Sequence, residues 1–345
     1  MDAFTPAQTM ELISRVGAKK SKMRFDKLCL NSFLAGPLLG FGCAITLSTN
    51  AAPWYQDNAP GLIRTIAAGF FPIGLILVVL TGADLFTSNV MFLPVAFLHR
   101  RVTLFDVGKS AFVSFFGNLA GMLFFMAIIV GYGGIFERGA YKAESIAFAV
   151  GKAVTPQWHQ IFLKAIGANW LVCLAVFMAI SSREIGSKIL AIWWPITTFV
   201  ALGMDHVIAN MFLIPMGIWN GAPITVGYYI WKSMIPAFLG NTLGAALFVG
   251  TAYWYLYLTS SDNIPVEFNL DGVNTAIDEM GGPMDRRLSK CASCHGTMNG
   301  DSQGKVLNGT ERLDLPDSSG RMKSAIGREL KAYSTEKSNG EVMRV

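Results

Sequence analysis

Three polar residues stand where the surrounding sequence is apolar: Asp84, Asp205 and His206. Of the four histidines, at 99, 159, 206 and 295, only His206 falls at the centre of a long apolar run. Its unperturbed pKa suits proton exchange near neutrality. Such a residue inside a membrane is costly unless it faces protein or water, so a pore-lining role is expected. Metal binding is not, because only Asp205 offers a second ligand beside it. The acids read differently. Gly, Asp and Asn in mid-span disfavour a continuous helix, and Asp is a strong N-cap, so Asp84 and Asp205 are each expected to cap a helix that restarts. One further pattern carries chemistry: Cys291-Ala292-Ser293-Cys294-His295 has the spacing of covalent haem attachment, with two thiols and an axial histidine. It lies in a tail expected on the reducing cytoplasmic side, and neither haem nor any other cofactor is expected.

The elements that position these residues follow from composition. Apolar residues make up 52% of the 345 positions and charged residues only 15%, which a water-soluble core cannot accommodate. A spanning helix needs roughly 20 apolar residues, and that length picks out about 28–49, 62–98, 107–130, 160–181, 188–217 and 232–258. The expectation is an all-α integral membrane protein of six transmembrane helices, with the second and fifth too long to be single uninterrupted spans. Residues 1–27 read as a cytoplasmic segment without a cleavable signal, 28–258 as the membrane domain, and 259–345 as a polar, disordered cytoplasmic tail. The net charge of +5 is spread over turns and tail, so membrane orientation explains it and nucleic acid is not an expected partner.

An internal repeat underlies the pattern. Aligning 82–94 with 203–215 makes Gly82, Asp84, Asn89 and Pro94 coincide with Gly203, Asp205, Asn210 and Pro215. Further on, Gly117-Asn118 with Gly121 matches Gly240-Asn241 with Gly244. Each half, about 28–130 and 160–258, holds three spans, an odd number, so the two repeats must be inverted. Interrupted helices in inverted repeats mark a solute site near the midplane, and His206 takes the place of Leu85 there.

Three stretches then carry a resemblance: Thr81-Gly82-Ala83-Asp84-Leu85-Phe86-Thr87-Ser88-Asn89, Asn169-Trp170-Leu171-Val172-Cys173-Leu174-Ala175, and Gly203-Met204-Asp205-His206-Val207-Ile208-Ala209-Asn210-Met211. Together they resemble the formate–nitrite transporter family over about residues 5–258. The resemblance implies an aquaporin-like fold in a homopentamer, one pore per protomer, passing small monovalent weak-acid anions: formate, nitrite, lactate, acetate or hydrosulfide. It also implies the site. His206 matches the central histidine, Thr87 the hydroxyl facing it, Asn169 an asparagine that orients it, and Lys152 a vestibule lysine. Phe71, Leu75, Leu85, Phe86 and Phe199 match two apolar constrictions. Two departures are visible: Asp205 stands where the family usually has Glu, and Lys152 lies about one residue farther from Asn169, a shift that an insertion near Pro156 would absorb.

The implied function is proton-linked transport without covalent catalysis. A bare anion would lose its hydration between apolar constrictions at a cost of several kcal/mol, whereas a neutral acid crosses cheaply. A membrane-bound haem carrier and a water or polyol channel are the rival classes. The latter normally shows paired Asn-Pro-Ala motifs, which this chain lacks.

Orientation comes from the basic residues. Arg15, Lys19, Lys20, Lys22, Arg24 and Lys27 crowd the N-terminal segment, and Arg100, Arg101, Arg183 and Lys188 mark two turns, whereas 50–61 and 217–231 have no Lys or Arg. Both termini are therefore expected in the cytoplasm of a plasma-membrane protein. Protease added to intact, right-side-out cells should leave a tag at Val345 untouched; its removal would reverse the assignment.

Overall fold

The computed structural model describes residues 3–259 and residue 266, so the rest of the polar tail, with Cys291, Cys294 and His295, lies outside the described residues. The described chain is helical. Five helices are long and apolar enough to cross a membrane: α2 (Phe25–Asn50), α4 (Pro60–Thr81), α6 (Leu104–Gly131), α8 (Trp158–Ser181) and α11 (Val226–Leu258). Between them run α1 (Pro6–Ser21), α3 (Pro53–Asn58), α5 (Phe86–Leu98), α7 (Gly139–Ala153), α9 (Ile185–Ala201) and α10 (Val207–Trp219).

Two of the expected long spans are each divided in the structure. After α4 the chain leaves helical geometry at Gly82, whose φ of 73° is a left-handed value that suits glycine, and helix resumes at Phe86. After α9 the same happens at Gly203, φ 67°, and helix resumes at Val207. Two segments outside the expected spans are also helical. α1 starts at a Thr5–Gln8 capping box and packs on α5, while α7 occupies the connection at 131–159 and packs on α10.

Large apolar side chains face outward, while a set of polar ones is enclosed within a mostly apolar interior. Phe112, Phe116, Leu163, Trp194 and Trp231 point outward, whereas Asp84, Asn89, Asn118, Asn169, Asp205, His206 and Asn241 are buried. An apolar exterior with polar groups partnered inside the protein is what lipid as solvent selects.

The framework rests on close helix pairs. α6 lies on α2, and α11 lies on α8. Without a hydrophobic force between helices in lipid, van der Waals packing must hold such pairs, and small residues permit close approach. A Cβ on Gly121 would fall 1.9 Å from the Phe33 carbonyl, and one on Gly244 would fall 2.3 Å from that of Ile166. Gly121→Ala should accordingly destabilise by about 1–3 kcal/mol, an overpacking cost. Gly69→Ala, where a Cβ meets nothing within 4 Å, is the matched control. Thermal unfolding in detergent compares the two, and equal melting would remove the packing argument.

Candidate functional site

Both chain breaks are held by the same device. The Asn118 amide nitrogen donates to the carbonyls of Ser32, at 2.7 Å, and Asp84, at 2.9 Å, while its oxygen accepts the Phe86 N–H at 2.8 Å. Asn241 repeats the pattern on the carbonyls of Ala165, at 2.8 Å, and Asp205, at 2.9 Å, and on the Val207 N–H, at 2.7 Å. Each asparagine thus pairs groups freed where the helix stops with groups at the neighbouring helix. These two residues mattered in sequence only as a repeat echo.

The acids do not cap the restarting helices as their type suggested. Leu85 and His206 occupy the N-cap positions, and the carboxylates turn instead toward lysines. Asp84 accepts from Lys20 Nζ at 2.7 Å, Ser32 Oγ at 3.2 Å and Asn89 Nδ2 at 2.8 Å. Asp205 accepts from Lys152 Nζ at 3.1 Å and Asn210 Nδ2 at 3.3 Å. Lys152 also donates to the Gly203 carbonyl at 3.0 Å and the Met204 carbonyl at 2.7 Å, so all three of its protons are engaged. Lys20 is the residue that sequence reading missed as part of a site. It was counted only toward orientation, although it ends α1 much as Lys152 ends α7.

Between the breaks, His206 Nε2 lies 2.9 Å from Thr87 Oγ1, joining the start of α10 to the first turn of α5. The other ring nitrogen, Nδ1, accepts the Ala209 N–H at 3.1 Å and therefore carries no proton. In a neutral ring the proton then sits on Nε2 and is donated to Thr87, whose own hydroxyl proton is left to serve a neighbour. Asn169 reaches the pair indirectly: its amide donates to the carbonyls of Thr87, at 3.0 Å, and Asn241, at 2.8 Å, fixing Thr87 against the second break.

Apolar rings enclose this centre. Phe71 and Phe199 meet edge to face at 5.6 Å, and Phe199 lies 6.0 Å from the His206 ring. Leu75, Leu85 and Phe86 are buried too, with Phe86 stacked on Phe238 at 5.2 Å. A cavity of about 350 Å³ is lined by Asn50, Gln56, Arg64, Lys152, Phe71, Phe199 and His206 among others. Leu75, Leu85 and Phe86 do not line it. Among the described residues, no three His, Cys, Asp or Glu side chains are grouped to hold a metal ion.

The family profile described as formate/nitrite transporter matches residues 7–255. The chain belongs to the formate/nitrite transporter family. It is 36% identical over 267 residues to a probable formate transporter of Methanothermobacter thermautotrophicus, covering 74% of this chain and 97% of that one. It is 31% identical over 290 residues to the formate channel FocA of Escherichia coli K12, covering 76% and 97%. Among solved structures, a pentameric formate channel with formate bound superposes with a TM-score of 0.60 at 29% identity, covering 67% of this chain and 97% of that chain. An ion channel of the same family gives 0.65 at 27% identity, covering 72% and 98%.

The lysine–aspartate pairs generate a structural test in this family member. Lys152 and Asp205 side chains are 15% and 1% exposed, and removing one member of a buried pair costs about 3–5 kcal/mol because the other charge is stranded. Lys152→Met and Asp205→Asn should each lower the melting temperature in detergent, and the double variant should recover part of the loss. Additive losses would show that the pair is not coupled.

Proposed function

We propose that the chain is a channel for small monovalent weak-acid anions, formate first, which cross its centre as neutral acids. In this reading six spans form two inverted three-helix repeats of an aquaporin-like fold. α4 with α5 makes one interrupted span, and α9 with α10 the other. Five copies assemble, each with its own pore, in a plasma membrane with both termini cytoplasmic. Nitrite, lactate, acetate and hydrosulfide are further candidates of the same chemical class.

The observation that carries the proposal is the Thr87–His206 contact, with His206 lining a cavity together with Phe71 and Phe199. The mechanism follows from the charges around it. Asp84 is matched by Lys20 and Asp205 by Lys152, so neither acid adds net charge at its break. The centre offers hydrogen bonds from neutral groups. These orient a small carboxyl group but offset little of the several kcal/mol that desolvating its charge costs.

Protonation therefore belongs in the wet cavity, before the apolar constriction. The acid then exchanges hydrogen bonds with Thr87 and His206 between Phe71 and Phe199 on one side and Leu75, Leu85 and Phe86 on the other, and releases its proton in the far vestibule. His206 acts as a fixed donor, because the Ala209 N–H aimed at Nδ1 opposes a second proton on the ring. In this reading it contacts substrate as a hydrogen-bond donor.

Uptake of labelled formate into proteoliposomes between pH 5 and 8 tests this. Flux should rise as pH falls, by up to about tenfold per unit while the acid is the minor species. His206→Asn, which keeps a donor, should lower the rate but leave the shape of the pH profile intact. His206→Phe should block flux while assembly, read by size, persists. A profile that changes shape in His206→Asn would place the titrating group on His206 itself, and formate exclusion by the unaltered protein would refute the transport reading.

A further inference from the structure

The resemblance assigns anion attraction at this mouth to Lys152, yet Lys152 has no proton left to give. Two other cations line the same cavity, Arg64 from α4 and Lys164 from α8. Among the described residues neither makes a side-chain hydrogen bond or an ion pair. Both side chains are exposed, and both helices turn these residues into the cavity.

The position of Arg64 is specific. A Cβ built on Gly203 would lie 1.8 Å from its Nη2, so the guanidinium occupies the open face of the glycine that ends the helix two residues before Asp205. The other break lacks this arrangement: a Cβ on Gly82 would meet nothing within 4 Å. By the asparagine staples, Lys164 is the counterpart of Asn31, since Ala165 and Ser32 supply matching carbonyls. Asn31 spends its amide on the Gly82 carbonyl at 3.1 Å, whereas Lys164 faces the cavity. The two breaks are thus unlike, and Arg64 and Lys164 line the cavity on the Gly203 side.

Nothing lining the cavity cancels that charge. No Asp or Glu is among its lining residues. The nearby acid, Glu144, is held behind the wall by the amide nitrogens of Asn50 and Gln56, the latter at 2.6 Å. Burial pushes its carboxyl above the usual range, against the pull of those two amides. The lining therefore combines a planar fork that matches a carboxylate and a flexible ammonium, with Lys152 neutralised beneath them.

We propose that Arg64 and Lys164 form an anion-capture subsite for small monocarboxylates, occupied before the substrate reaches Phe71 and Phe199. The proposal rests on the transport reading, to which it adds where the charged form is first bound. Guanidinium pairing holds the carboxylate at the mouth until a proton converts it to the form that passes. A cavity of about 350 Å³ admits two- and three-carbon acids as well as formate, so discrimination between them falls to the constriction.

The test uses the full-length protein in two assays with sodium formate. In proteoliposomes, Arg64→Gln and Lys164→Gln should each raise the half-saturating concentration, about tenfold for the arginine, far more than they lower the maximal rate. Arg64→Lys should not restore it, because the charge returns without the fork. In detergent, saturation-transfer NMR should show formate binding to the pentamer that is lost in the double Gln variant. Unchanged half-saturation and binding in both single variants would overturn the subsite. So would full rescue by Arg64→Lys together with loss of every effect at high salt, which would mean a screened field. Binding that depends on Arg64 in a protein that moves no formate would support the subsite and sink the transport reading instead.

Discussion

Backbone polar groups inside a bilayer must find partners within the protein, and in this chain helix stops at Gly82 and Gly203 and resumes at Phe86 and Val207 within apolar sequence. Everything else depends on how that demand is met. Asn118 and Asn241 supply the answer, each binding two carbonyls and one N–H at a break. Their amides can reach because Gly121 and Gly244 bring α6 onto α2 and α11 onto α8 at close range. Close packing, staple and break form one construction, made twice.

That construction sets what the centre of the protein can do. It aims the first turns of α5 and α10 at each other, and the two side chains that meet there are Thr87 and His206. The carboxylates that might have made the centre acidic are each bound by a lysine carried on a short amphipathic helix, Lys20 on α1 and Lys152 on α7. The result is a hydrogen-bonding point beside apolar rings, with Arg64 and Lys164 on the lining of the adjoining cavity. On the proposed reading, such a profile attracts an anion and then refuses its charge, which favours passage as the acid.

Much of this was legible in sequence, because lipid imposes simple rules. Apolar length gave the spans to within a few residues: the expected 28–49 became Phe25–Asn50, and 160–181 became Trp158–Ser181. The repeated Gly and Asp marked both breaks, and the motifs around Thr87, Asn169 and His206 led to the right family. What stayed hidden depends on contacts distant in sequence. Asp84 and Asp205 read as caps because Asp commonly caps, but lysines 64 and 53 positions away claimed their carboxylates. Lys152 read as a free vestibule charge, since no spacing rule reveals that three acceptors surround it. Arg64 drew no notice, because an arginine near a helix end ordinarily reads as reaching for the interface.

The central claim is that charge stops at the mouth and a neutral acid crosses between Thr87 and His206. Its most direct test is the voltage dependence of formate flux in proteoliposomes, with the membrane potential clamped by a potassium gradient and valinomycin and a lumenal dye reporting pH. The account predicts that formate influx is independent of potential and acidifies the lumen one proton per formate. Flux that climbs steeply with an inside-positive potential, without proton entry, would show the bare anion crossing the pore and contradict it.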